Sequence, residues 1–245
     1  MNIMIIFLIN YLGYVVGPAR VEKTIFGAEQ ITETFEVVNI SNDSLRIKVE
    51  FEDFEINADA QAVFLPAGSN ANSLAPLATV NPEEFYIGPQ QIENIRVTFR
   101  MPKKLLASEY FSMLLFKSQP IPTQYHPMIA VAGEIGVPVY YVNGEIAQRN
   151  AEFEALNIVR DTVVITVRNS GNVHLRIKGE ARILELNEAL IAKDSIPEFL
   201  VFPDRIRNIK VPLTKQVAKG DTCVARIRLD YGSTELIEGE RRFIR

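Results

Sequence analysis

Few side chains in this sequence have the types and spacing that chemistry needs. The two histidines, His126 and His174, are of the kind that moves protons, but each stands alone. His126 lies between Tyr125 and Pro127 in a loop and His174 follows a turn, so both read as surface residues. The single cysteine, Cys223, opens an apolar run and reads as a small core residue. Alone it forms no internal disulfide, and two histidines without a cysteine cluster make no structural zinc site. The acidic run Glu50, Glu52, Asp53 and Glu55 has the oxygen ligands that calcium takes. Glu50 and Glu52 fall on the polar face of an alternating strand, however, and the run reads as solvated charge. There is no glycine-rich phosphate loop, no Gly-x-Ser-x-Gly elbow and no His-Glu-x-x-His pair. The expectation is a protein that is not an enzyme and uses no cofactor and no metal.

What remains is the chemistry of the backbone. An exposed strand edge binds an extended peptide by adding a strand: main-chain hydrogen bonds hold it and alternate side chains select it. The stretch Met128 to Asn143 is the candidate, apolar throughout apart from Glu134. Ile129, Val131, Gly133 and Ile135 share one face, continued by Val137, Val139 and Tyr141. Ala130, Ala132, Glu134 and Gly136 make a face of mostly small residues, which lets another backbone approach. Two uses fit this row: pairing with a guest strand, or packing inside its own sandwich.

The elements around it read as strands. Leu45, Ile47, Val49 and Phe51 alternate with Arg46, Lys48, Glu50 and Glu52, the pattern of a half-buried strand. Ala19 to Phe26, Ile31 to Ile40 and Ile92 to Arg100 read the same way, and Tyr110 to Lys117 is apolar on both faces, as a central strand would be. Asn57 to Pro82 shows no period and reads as a long exposed connection, and Lys103 to Ala107 as one helical turn. Ser118 to Pro127 holds three prolines and reads as a loop. Beyond the Asn143-Gly144 turn, further strands are expected at Ala151–Ile158, Val163–Val167, from Leu175, and near Arg205–Val211, Cys223–Tyr231 and Leu236–Ile244.

An internal echo ties the halves together. NISNDSLRIKVE from Asn39 and NSGNVHLRIKGE from Asn169 share an asparagine, a polar turn and the tetrapeptide LRIK, 130 positions apart. Strands at short spacing with no long helix predict an all-β fold of two tandem immunoglobulin-like β-sandwich domains. The expected boundaries are a signal-like apolar segment over 1–16, a first domain over 17–143 and a second over 144–245. The first segment is apolar from Ile3 to Val16, short against the roughly 20 residues of a membrane span, and suits a secretory core or a buried first strand. Export is the favoured reading, with no membrane span once the segment is processed. A net charge of −4 over 245 residues argues against nucleic acid as a partner.

The order of these motifs resembles the PapD-like periplasmic pilus-assembly chaperones, as a divergent member. The resemblance rests on GPARVEKTIFGAEQ, FEVVNISNDSLRIKVEFEDF, FYIGPQQIENIRVTFRMPKKL, SEYFSMLLFKS and IAVAGEIGVPVYYVNGE, in that order. It covers residues 17 to 145 well and the second domain only in general layout. It implies a bacterial periplasmic or otherwise exported protein that caps pilus or surface subunits by lending the last strand of its first domain, with an outer-membrane usher as a further partner. By position the lending row is Ile129, Val131 and Gly133, with Ile135 beyond. Two basic residues of such chaperones hold the subunit's terminal carboxylate in a cleft between the domains. The first falls on Lys23, or on Arg20 in a shifted register, and the second on Gly136, which carries no charge. The alternative from a different class is a structural or adhesive cell-surface module of two immunoglobulin-like domains, with the strand used internally.

Overall fold

The structure is a computed structural model that describes residues 13–27, 30–57, 61–119, 121, 133–159, 162–212, 220 and 222–244. It is all-β, and the chain divides into two compact units, with the main division along the chain after Glu145 and the short stretch Ile56–Val63 grouped with the second. No helix among the described residues is long and apolar enough to cross a membrane.

The first unit holds ten strands: β1 (Tyr14–Gly17), β2 (Val21–Ile25), β3 (Gln30–Asn39), β4 (Leu45–Ile56), β5 (Ala62–Leu65), β6 (Ala78–Asn81), β7 (Glu84–Ile87), β8 (Ile92–Arg100), β9 (Glu109–Gln119) and β10 (Glu134–Asn143). One sheet runs β1-β3-β8-β6; the other runs β2-β10-β9-β4-β5, with β7 also along β4. The alternation in the sequence sets the inward faces. Phe35, Val37, Ile95, Val97 and Phe99 from one sheet meet Ile47, Val49, Leu114, Phe116, Val137, Val139 and Tyr141 from the other. Rings interlock across the gap, Phe35 with Phe116 at 5.9 Å and Phe99 with Tyr141 at 5.1 Å between centroids. As its two apolar faces require, β9 lies between β10 and β4. Its outer face carries Phe111, in an aromatic trio with Phe54 and Tyr140.

Four expectations change here. The stretch read as an exposed connection contributes β5, β6 and a 3-10 helix, Ala75–Leu77. Its Ser73 and Leu74 are buried, the Ser73 hydroxyl donating to the Asp53 carboxylate and the Leu74 N–H to the Ser112 hydroxyl. Asp53 is fully buried, where the acidic run had been read as solvated. No helix forms at Lys103–Ala107; the hydroxyl of Tyr110 accepts the N–H groups of Leu106 and Ala107 and bends the chain instead. β1 also places Tyr14 in the core, its hydroxyl donating to the Phe116 carbonyl at 2.5 Å. The boundary read after residue 16 therefore falls inside β1.

The second unit holds β11 (Ala151–Val159), β12 (Thr162–Asn169), β13 (Leu175–Glu185), β14 (Leu190–Val201), β15 (Ile206–Pro212), β16 (Thr222–Asp230) and β17 (Leu236–Ile244). Its sheets are β11-β12-β15 and β14-β13-β16-β17, antiparallel throughout. Val163, Ile165 and Val167 face Ile177, Ile183, Ile227 and Leu229 across the core, and Cys223 is buried among them. His174, read as a surface residue, is buried with its ring 6.4 Å from that of Phe202. His126 lies outside the described residues.

Candidate functional site

The candidate site is the edge of β10, and the registers of its neighbours define it. β10 pairs with β9 antiparallel from Glu134 to Val142. On its other side β2 runs parallel to it, but only from Val139 to Asn143. From Glu134 to Pro138, no strand among the described residues pairs that second edge.

The direction of each peptide group follows from the ladder. In an antiparallel pair a residue's N–H and C=O point to the same side, and successive residues alternate. The Gly133 carbonyl accepts the Ser118 N–H at 2.9 Å, and the Asn143 N–H donates to the Ser108 carbonyl at 2.8 Å. Odd-numbered residues of β10 therefore face β9, and even-numbered ones face away. The Gly144 N–H, which donates to the Ile25 carbonyl at 2.9 Å, keeps this phase. The open edge thus presents N–H and C=O of Glu134 and Gly136, while the C=O of Pro138 falls opposite Val21, where the parallel ladder with β2 begins. Pro138 has no N–H to present, so its missing donor falls on the edge, the position where a strand tolerates proline.

The side chains of the predicted row have a different task. Ile135 packs against the first core, in line with the buried Val137, Val139 and Tyr141. Gly133 is tied down by its backbone: its N–H donates to the Ser118 hydroxyl at 2.9 Å, and its carbonyl also accepts the Tyr14 hydroxyl at 3.2 Å. Ile129 and Val131 lie outside the described residues, as does the whole of 128–132 in the stretch read as one strand.

On β2, the Lys23 ammonium sits 2.6 Å from the Glu33 carboxylate, which also accepts the Tyr141 hydroxyl at 3.1 Å. This pairing offsets the cost of holding Glu33 where it is nearly buried. Arg20 stands 4.0 Å from Glu22. Gly136 leaves no charge on β10; a Cβ there would meet Met113 Sδ at 3.0 Å and Leu115 at 3.3 Å.

The outer face beside the open edge carries a charge cluster that sequence reasoning did not assemble. Lys117 lies 2.7 Å from Glu50, 2.8 Å from Glu52 and 3.8 Å from Glu134, and Lys48 lies 2.7 Å from Glu50. Hydrogen bonds from Lys117 first and Lys48 second hold the Glu50 carboxyl below its ordinary range. Those from Glu50 and Glu52 hold Lys117 above its own. A lowered carboxyl contributes stability above its unfolded pKa and loses it as pH falls through the folded value; a raised ammonium contributes below its unfolded pKa and loses it as pH rises through the folded value. Unfolding followed against pH should therefore show the cluster's contribution in full and independent of pH between about pH 6 and 9, with a decline only outside that window. Among the described residues no group of three or more His, Cys, Asp or Glu side chains could hold a metal ion.

Two immunoglobulin-like sandwiches in tandem are the fold of the pilus-assembly chaperones. Solved structures share it over nearly the whole chain. The class 5 fimbriae chaperone CfaA is 13% identical, over 93% of this chain and 98% of that one, with a TM-score of 0.53. The Escherichia coli chaperone DraB is 13% identical over 94% and 98%, with a TM-score of 0.50. The CsuC–CsuE chaperone–tip subunit pre-assembly complex of Acinetobacter baumannii gives 10% identity over 92% and 97%, with a TM-score of 0.50. At these identities the likeness is one of fold. No family model and no curated protein matches the sequence.

Proposed function

We propose that this protein is an exported, non-catalytic chaperone that binds pilus or surface subunits by strand addition along the open edge of β10. The observation that carries the reading is the stretch Glu134–Pro138, paired by β9 on one side and by no described strand on the other. It occurs within a fold shared with proteins such as CsuC, which is known in complex with a tip subunit. A guest strand laid there would find two N–H donors and two carbonyl acceptors in ladder geometry, on Glu134 and Gly136. Its inward side chains would extend the row that ends in Ile135, with Ile129, Val131 and Gly133 as the remaining members of the row. Arg20 and Lys23 are the candidate cations for a client's terminal carboxylate. With Gly136 supplying no second charge, the backbone ladder carries the larger share of the binding. The setting is the bacterial periplasm or another exported location, the partners are protein subunits with an outer-membrane usher beyond them, and no nucleic acid is involved.

The test is co-expression with candidate subunits from neighbouring genes. The wild-type chain should co-purify with a subunit, and I129D/V131D should lose most of the captured subunit while the circular dichroism of the fold is kept. Undiminished capture by that variant would overturn the reading. It would leave a structural or adhesive module whose edge serves another purpose.

A further inference from the structure

The open edge also has outward-facing chemistry, and it selects what pairs with it. Resting on the strand-addition reading, we infer that the guest strand carries a cationic side chain and an aromatic one, two positions apart, flanking an inward apolar residue.

The cation follows from charge. Glu134 is the first residue of the edge, and its side chain is 52% exposed. The cation nearest it among the described residues is Lys117, 3.8 Å away and engaged at 2.7 and 2.8 Å by Glu50 and Glu52. The face beside the edge thus holds three carboxylates against two ammonium groups, Lys117 and Lys48, and Glu134 is the carboxylate held least closely. A guest residue directly opposite Glu134 would lie about 5 Å away between Cβ atoms, where opposite charges attract and like charges repel.

The aromatic follows from shape. Gly136 is exposed and puts no side chain on the outer face. Beside it lie Met113 and Leu115, close enough that a Cβ on Gly136 would press on the Met113 thioether. Met113 and Leu115 are buried and reach over Gly136 from β9, so a ring from the next strand that lies across the exposed glycine meets the Met113 thioether edge-on, a favourable sulfur–aromatic contact. Glu134 and Gly136 share one face, so the guest residues that meet them are also two apart. The residue between them points to the side of Ile135 and the core, and is apolar. Pro138 then ends the ladder for lack of an N–H.

The probe is a set of synthetic extended peptides, identical except at the two outward positions, with Lys and Phe, Glu and Phe, or Lys and Ala, each in both orders. Binding to the full chain is read from the amide shifts of Glu134, Ile135 and Gly136. In one of the two orders, the Lys/Phe peptide should bind about tenfold tighter than Glu/Phe and about fivefold tighter than Lys/Ala. E134Q should erase the first difference and M113A should reduce the second. Equal affinities across the set, or a preference for Glu/Phe, would overturn the inference while the strand-addition reading stood. Absence of shifts at these amides with every peptide would overturn the reading itself and the inference with it.

Discussion

Replacing Asp53 by alanine should lower the stability of the first sandwich by about 4 kcal/mol, near the upper end of what single substitutions do. The carboxylate is fully buried and works as the acceptor for an entire segment of chain. One oxygen accepts the Ser73 hydroxyl at 2.6 Å and the Ser112 hydroxyl at 2.8 Å; the other accepts the Asn70 N–H at 2.9 Å. The two serine oxygens in turn accept the N–H groups of Ala75 and Leu74, at 3.2 and 2.9 Å. Removing the carboxylate takes the acceptor from the Ser73 hydroxyl and the Asn70 N–H, while the Ser112 hydroxyl keeps the Phe111 carbonyl at 2.7 Å, and each group left without a partner costs about 1–3 kcal/mol. The segment it holds brings the fully buried Leu74 into the core, so the loss also loosens packing. Urea unfolding gives the magnitude, and hydrogen exchange at Asn70 and Leu74 shows where protection is lost. A loss under about 1 kcal/mol would mean that water takes over both lost bonds.

Asp53 also shows how far the sequence could be read. The alternation Leu45, Ile47, Val49, Phe51 extends by one more step to position 53, so the period placed this residue inward while its charge argued outward. The period was the better guide, because Ser73 and Ser112 supply the partners that a buried carboxylate needs. Those partners lie 20 and 59 positions away, at a distance where no local pattern operates. The strands of the second unit were legible where alternation is clean, as in β12 and β16. β14 escaped notice because Pro197 interrupts it and Lys193 and Asp194 sit together within it. The candidate site was legible only in part. The apolar period of β10 and its place at the end of the first unit follow from the sequence. That its edge opens at Pro138 does not, because the opening depends on a parallel partner, β2, drawn from the far end of the unit. The cluster around Lys117 likewise joins three strands.

The internal echo leads to the second large effect: N39A and N169A should each cost about 3 kcal/mol, each in its own sandwich. Both asparagines are fully buried at the end of a strand. The Asn39 amide donates to the carbonyls of Asp43 at 2.8 Å and Ile87 at 3.1 Å, and its oxygen accepts the Ser41 N–H at 2.9 Å. The Asn169 amide donates to the carbonyls of Val173 at 2.8 Å and Val201 at 2.9 Å, and its oxygen accepts the Gly171 N–H at 2.9 Å. The backbone N–H groups match too, to Gln91 and Arg205, both at 3.0 Å. One side chain thus closes its own turn, four residues on, and ties it to a strand end far away in sequence. This is why the asparagine and the turn recur together ahead of LRIK, where identity elsewhere has faded. Alanine strands two carbonyls and an N–H at each site. Aspartate keeps the acceptor but sets a negative charge against the two carbonyls, so N39D should be no milder than N39A. The two sites lie in separate units, so N39A/N169A should show the sum of the single losses. Hydrogen exchange resolved by residue should find each single variant destabilising one sandwich, and a variant that weakened neither would mean that the shared asparagine is a relic of sequence with no structural task.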